Sequence, residues 1–313
     1  MASLPIGLAI ARSTTADAVD AAAAAEEEGG YAVWSTVGGT APDAMAIFAA
    51  VALRTTSIRL GTSIVPAYPR HPIVLASQAL VLDDLAPGRF HLGVGPSHKP
   101  TIEGVFGISM GNPLRYMCEY VTILRQLLWK GKTDFDGEYF NVRASLPEGR
   151  TPPRTPILLS ALRPNAFRQA GEIADGGISW VCPRQYLANV ALPSIRAGAQ
   201  AAHREPPPLI AHVPVAYTDD SALAQDTAHS FLARYARLPF YARMFEAAGH
   251  NVSNGVSDTL MADLVVSGTG PAVVNRLRDV LSLGAAEVLV SLLPTGDAAT
   301  VQRDFLAAVR NAQ

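Results

Sequence analysis

Residues 4–18 read LPIGLAIARSTTADA. An almost unbroken apolar run gives way within a few positions to Thr15-Ala16-Asp17-Ala18, a sequence suited to opening a helix. A strand apolar along its whole length is buried on both faces, and a helix following it is the repeating unit of a parallel sheet. Two architectures are built from that unit. A doubly wound open sheet expects a glycine-rich first turn, whereas this turn is Ala11-Arg12-Ser13. The junction therefore favours a closed barrel, which requires eight such strands.

Moving outward, YAVWST (31–36), IRLGTSIV (58–65) and RFHLGVG (89–95) read as the next three strands. Helices are expected over 15–28, stopping at Gly29-Gly30, and near 42–53, 71–85 and 113–129. The alternation then breaks. Asp136-Gly137 within FDGEYFNV (135–142) predicts a surface hairpin. Four prolines within 147–156 make a stiff linker. Further strands are TPILLSA (155–161), GGISWV (176–181), LIAHVPVAYT (209–218), LVVSG (264–268) and AEVLVSLL (286–293). Helices are expected at 164–174, 185–201, 270–283 and 298–311, with helical, partly irregular sequence over 219–262. The expected fold is α/β: a (β/α)8 TIM barrel with insertions after strand 4 and strand 7, residues 1–313 forming one domain. The doubly wound sheet is the runner-up.

Composition narrows the function classes. The 313 residues are 49% hydrophobic and 17% charged, with a formal charge of −2, so nothing points to nucleic acid or a membrane surface. No apolar run is long enough to span a bilayer, and MASLPIGLAIARSTT lacks a basic segment ahead of its apolar stretch. A cytoplasmic protein with Cys118 and Cys182 reduced is the expectation. In a barrel the chemistry sits at the C-terminal strand ends. His71, His98 and Glu103 are the only His, Asp or Glu there, with no HxH or HExxH, so no metal is expected. Lys99 is the one strand-end lysine, and GxSxG is absent. What remains is a site that holds a ligand by backbone and shape, as a redox cofactor requires.

Three blocks, LGTSIVPAYPRHP (60–72), APGRFHLGVGPSHKP (86–100) and PILLSALRP…AGEIADGGISW (156–180), together resemble the luciferase-like flavin and deazaflavin superfamily, most strongly its oxidoreductases that use coenzyme F420. The resemblance covers nearly the whole chain. It implies a non-proline cis peptide at Ser63-Ile64, next to Thr62, supporting one face of the cofactor ring. It implies contacts from Gly93, Val94, Gly95 and Ser97 to the ring and ribityl chain. It also implies a phosphate cradle from Ala161, Leu162, Arg163 and Pro164 with Gly177 and Ser179. On the residues alone, the same stretches also suit plain strand-to-loop turns, and Arg163 also suits a solvated surface.

One departure stands out. Many relatives end the second strand with an acidic residue and histidine, and here Val37-Gly38 occupies that place. Thr36, Tyr68 and His98 are the candidate catalytic substitutes, with His71 a further one that also fits a helix start. The implied activity is hydride transfer between F420 and a small unsaturated organic substrate. An FMN-dependent monooxygenase and a non-catalytic deazaflavin-binding protein are the alternatives. Trp34, Trp180, Tyr68 and Phe106 are expected as pocket walls, and Arg70, Lys99, Arg163 and Arg184 as cations for the anionic cofactor tail. Relatives are often dimers, so a homodimer is expected, with the apolar helix at 42–53 a possible interface.

Overall fold

The computed structural model describes residues 4–312. The first half runs β1 (Ile6–Ala9), α1 (Thr15–Glu27), β2 (Ala32–Ser35), α2 (Ala44–Arg54), β3 (Arg59–Thr62), β4 (Val65–Pro66), α3 (Pro72–Leu85) and β5 (Phe90–Gly95). An excursion follows: α4 (Lys99–Gly104), α5 (Pro113–Lys130) and the antiparallel hairpin β6 (Lys132–Asp136) and β7 (Asn141–Ser145). The chain resumes with β8 (Ile157–Ala161), α6 (Pro164–Ile173), β9 (Gly176–Ser179), α7 (Arg184–Tyr186), a π-helical turn, α8 (Leu192–Ala201) and β10 (Leu209–Tyr217). A second excursion holds α9 (Ser221–Ala236), α10 (Pro239–Ala247), α11 (Asp258–Leu264) and β11 (Val266–Gly268). The chain then ends with α12 (Gly270–Ser282), β12 (Glu287–Leu292) and α13 (Ala298–Asn311).

Eight strands close into a parallel ring, β1-β2-β3-β5-β8-β9-β10-β12, and β12 pairs back onto β1 with Ile6 beside Val288. That closure excludes the open sheet. The two insertions follow the fourth and seventh strands of the ring. LVVSG is not a ring strand: β11 pairs with β10 alone, as an added edge. Helix starts follow the expected side-chain chemistry. Thr14 Oγ1 accepts from Asp17 N at 3.1 Å, and Asp43 Oδ1 accepts from Met45 N at 3.0 Å.

Inside the ring, alternate residues of each strand point to the axis. Trp34 fills the middle, 1% exposed, among Ala32, Leu158, Ile178, Ile210 and Leu289. Room for the indole comes from two facing glycines. A Cβ on Gly7 would lie 2.6 Å from Trp34 Nε1, and one on Gly61 would run into the ring. Below, Trp34 Nε1 donates to Glu287 Oε1 at 2.7 Å, and Glu287 also pairs with Arg59. The Arg59 guanidinium lies 4.2 Å from the Tyr31 ring centroid. Burial pushes the Glu287 carboxyl up to about 7, against the opposing pull of Arg59 and the indole N–H. Gly61→Ala should therefore destabilise the fold by about 1–3 kcal/mol through overpacking, read from urea unfolding. An unchanged midpoint would mean that Trp34 does not fill the barrel.

Candidate functional site

Above Trp34 the interior opens into a cavity of about 930 Å³ at the C-terminal ends of the strands. Its bed is the cis peptide Ser63-Ile64, and both residues line the cavity. Three hydrogen bonds clamp that link. Ser63 N donates to Ser35 O at 2.8 Å, Val37 N donates to Ile64 O at 3.1 Å, and Thr36 Oγ1 donates to Ser63 O at 2.8 Å. Thr36 lines the cavity, but its hydroxyl proton is committed to that carbonyl.

Thr62, Gly93, Val94 and Gly95 lie behind the lining rather than on it. Thr62 Oγ1 donates to Gly93 O and accepts from Gly93 N, both at 2.8 Å, tying β3 to β5 where β3 is interrupted. A side chain on Gly93 would collide with the Thr62 carbonyl, and one on Gly95 with Ser160 Oγ. Their role in this structure is to let the strands approach. Ser97, at φ 60°, reaches the cavity.

The turn from β8 into α6 lines another side through Ala161, Leu162, Arg163 and Pro164. Arg163 occupies the N-cap position of α6 without a capping side-chain bond. Gly177 and Ser179 do not line the cavity. They belong to the outward-facing set of β9, with Gly177 near Ile195 of α8, while Ile178 and Trp180 face inward. Period-two alternation makes this correction: if one of two neighbouring strand residues faces the axis, the other faces the helices. Ser179 Oγ is fully buried with no partner among the described residues.

Tyr68 and Phe106 also lie off the cavity. Tyr68 stacks on Tyr116 with centroids 3.9 Å apart, its hydroxyl donates to the Met110 carbonyl, and burial raises its pKa. Phe106 packs on the same cluster. His71 Nδ1 accepts from Ile73 N at 3.2 Å, as the cap of α3. Arg70, paired with Asp43, and Arg184, paired with Asp263, do not line the cavity; Lys99, 3.7 Å from Glu103, and Arg163 do. No Asp or Glu is among the lining residues. Among the described residues no cluster of three or more His, Cys, Asp or Glu has metal-site geometry, and no helix is long and apolar enough to cross a membrane.

The two insertions supply the remaining wall. Tyr235 comes from α9, Phe240 and Tyr241 from α10, and His98 from the β5–α4 junction. His98 stacks on Phe240 at 5.2 Å and meets Tyr241 edge-on at 5.9 Å; Tyr235 meets Tyr241 at 4.9 Å. Burial lowers the His98 pKa, favouring the neutral imidazole. These three lid aromatics escaped the sequence reading. Their one signal was three rings within seven positions of a segment read only as helical.

Trp180 is held from two sides. Its indole stacks on the His212 ring at 3.6 Å and 11°, and its Nε1 donates to the Tyr235 hydroxyl at 2.8 Å. His212 is 1% exposed. Its Nδ1 accepts from Val181 N at 3.3 Å, so Nε2 carries the proton and faces Ser291 Oγ at 2.9 Å. Burial pushes His212 down to about 3. Its ring resonances should therefore stay flat between about pH 5 and 8 by NMR. Because the unfolded imidazole titrates near the ordinary value of about 6.5, the stability contributed by the neutral ring is complete above that pH. It is lost as pH falls towards 3. A titration midpoint near 6.5 in the folded protein would contradict this packing.

The model of the luciferase-like monooxygenase family matches residues 5–287. An F420-dependent glucose-6-phosphate dehydrogenase of Mycolicibacterium gilvum is 31% identical over 246 residues, covering 72% of each chain. Among solved structures, an F420-dependent secondary alcohol dehydrogenase holding an F420-acetone adduct superposes with a TM-score of 0.82 at 17% identity, covering 99% of this chain and 98% of that one. A type II Baeyer-Villiger monooxygenase of Pseudomonas putida in complex with FMN gives 0.76 at 17% identity, covering 98% and 97%. The family match runs across nine-tenths of the residues, and the closed eight-stranded barrel agrees with it: the chain belongs to the luciferase-like monooxygenase family.

Proposed function

We propose that the protein is an oxidoreductase moving a hydride between coenzyme F420 and a small unsaturated organic substrate. The observation that carries this reading is the charge pattern of the cavity: an apolar slot with no carboxylate in its lining, the exposed Arg163 at one side and Lys99, beside Glu103, at the rim. F420 has an uncharged-to-anionic tricycle, a phosphate and a glutamate tail, and those groups fit such a site. A carboxylate-lined cavity would repel them. The curated relative and the alcohol dehydrogenase, both F420-dependent by name, support the reading.

In this assignment Ser63 and Ile64 support the ring, and Ser97 lies along the ribityl chain. The Ala161–Pro164 turn receives the phosphate, where the free N–H groups of a helix start favour an anion. When bound, F420 supplies a two-electron hydride donor or acceptor. The chain supplies orientation and dryness, and such positioning lowers a barrier by about 7–11 kcal/mol. Trp180, Phe240 and Tyr241 form an apolar wall for the substrate. The sugar phosphate of the curated relative is not assigned to this chain.

Purified protein titrated with F420 and with FMN, followed by fluorescence quenching, should bind F420 more tightly. Tight FMN binding with none for F420 would overturn the proposal in favour of a monooxygenase. F420 binding without turnover of enones, imines or alcohols would leave a carrier. Arg163→Ala should weaken F420 by about tenfold or more, the scale of a lost charge-assisted bond, and should weaken a tail-free fragment less. Equal losses would mean that Arg163 does not read the tail.

A further inference from the structure

We propose that Tyr235 is the proton donor of this site, delivering its phenolic hydrogen to the atom left electron-rich when the substrate accepts hydride; this rests on the hydride-transfer reading above. The second strand ends in Thr36-Val37-Gly38, without an acid or histidine, and the Thr36 hydroxyl is engaged with the Ser63 carbonyl. The ionisable side chains lining the cavity are His98, Lys99, Arg163, Tyr235 and Tyr241. Lys99 sits on the rim beside Glu103, and an arginine does not give up its proton.

A proton donor must hold its hydrogen until the substrate arrives and leave a base that the site stabilises. His98 is driven to the neutral form by burial, and no carboxylate pairs with it. Tyr241 is 3% exposed and its oxygen has no donor among the described residues. Tyr235 alone meets both needs. Its oxygen accepts the Trp180 N–H at 2.8 Å, a bond that strengthens as charge develops on that oxygen. Burial raises the Tyr235 pKa, which holds the phenolic proton at rest, while the Trp180 N–H and the nearby Arg234 pull the other way. The Trp180 donor is itself fixed in place by the stack on His212, which Val181 N and Ser291 Oγ lock. The phenolic hydrogen has no acceptor among the described residues, so it is available to a ligand in the cavity.

With a ketone, the carbonyl carbon would accept the hydride that reduced deazaflavin supplies when bound, a two-electron oxidation of that group. The C=O π pair moves to oxygen, and that oxygen takes the Tyr235 proton to give the alcohol. The phenolate recovers a proton from hydronium or a buffer acid of the solvent before the next turnover.

Acetophenone serves as the probe. In protein holding oxidised F420, its carbonyl stretch should shift to lower frequency and should return towards the free value in Tyr235→Phe, a readout that needs no turnover. In single turnovers with reduced F420, Tyr235→Phe should slow the ketone by about 100-fold or more. An N-methyl iminium salt accepts hydride without a proton and should be slowed far less. Equal slowing of both acceptors, or a stretch and ketone rate unmoved by the substitution, overturns the assignment. A wild-type protein that binds no F420 overturns the hydride reading itself, and this assignment with it.

Discussion

The inside of a parallel eight-stranded barrel is a narrow cylinder, and its large and small side chains must be shared out along the axis. Here Trp34 takes the middle layer, and Gly7 and Gly61 give up their side chains to admit it. The layer beneath is closed by Glu287, which bonds the indole N–H and pairs with Arg59. The layer above is left hollow where Ser63 and Ser160 line it, while Gly93 and Gly95, behind the lining, let neighbouring strands approach. A plugged lower half and an open upper half fix where a ligand can enter.

The upper half is built from tension between close approach and hydrogen bonding. Thr62 binds both polar groups of Gly93, which joins β3 to β5 while β3 is interrupted, and β4 resumes the pairing two residues on. The Ser63-Ile64 link is then clamped by Ser35, Thr36 and Val37. Opposite it, the long excursions after the fourth and seventh strands bring in His98, Tyr235, Phe240 and Tyr241. The scaffold is thus rigid at the bed and varied at the lid, the division by which one barrel fold hosts many chemistries.

Much of this was legible in the sequence, and the failures have physical causes. The ring strands were found because strands covered on both faces are continuously apolar, as in IGLA and EVLVSL. The cis link at Ser63-Ile64 came from the resemblance, since nothing in residue chemistry alone distinguishes it from a turn. Gly177 and Ser179, expected in the phosphate cradle, lie off the cavity lining because Ile178 and Trp180 take the inward positions at this strand end. Arg70 and Arg184 looked like free cations because their partners, Asp43 and Asp263, lie 27 and 79 residues away. Tyr68 sat near the right strand end, yet stacking on Tyr116 turns it from the cavity. Tyr235 was hidden in a segment whose helical pattern says nothing about what its rings face.

In the proposed reading a flat tricycle would rest on Ile64 above the Trp34 plug. Methyl NMR of selectively labelled isoleucine tests it most directly, because an aromatic ring shifts the methyls it covers. Saturating F420 should move the Ile64 and Ile178 δ1 methyl signals through ring current while those of Ile123 and Ile157 in the outer core stay in place. Bound cofactor that leaves Ile64 unmoved and shifts other isoleucines instead would contradict the account.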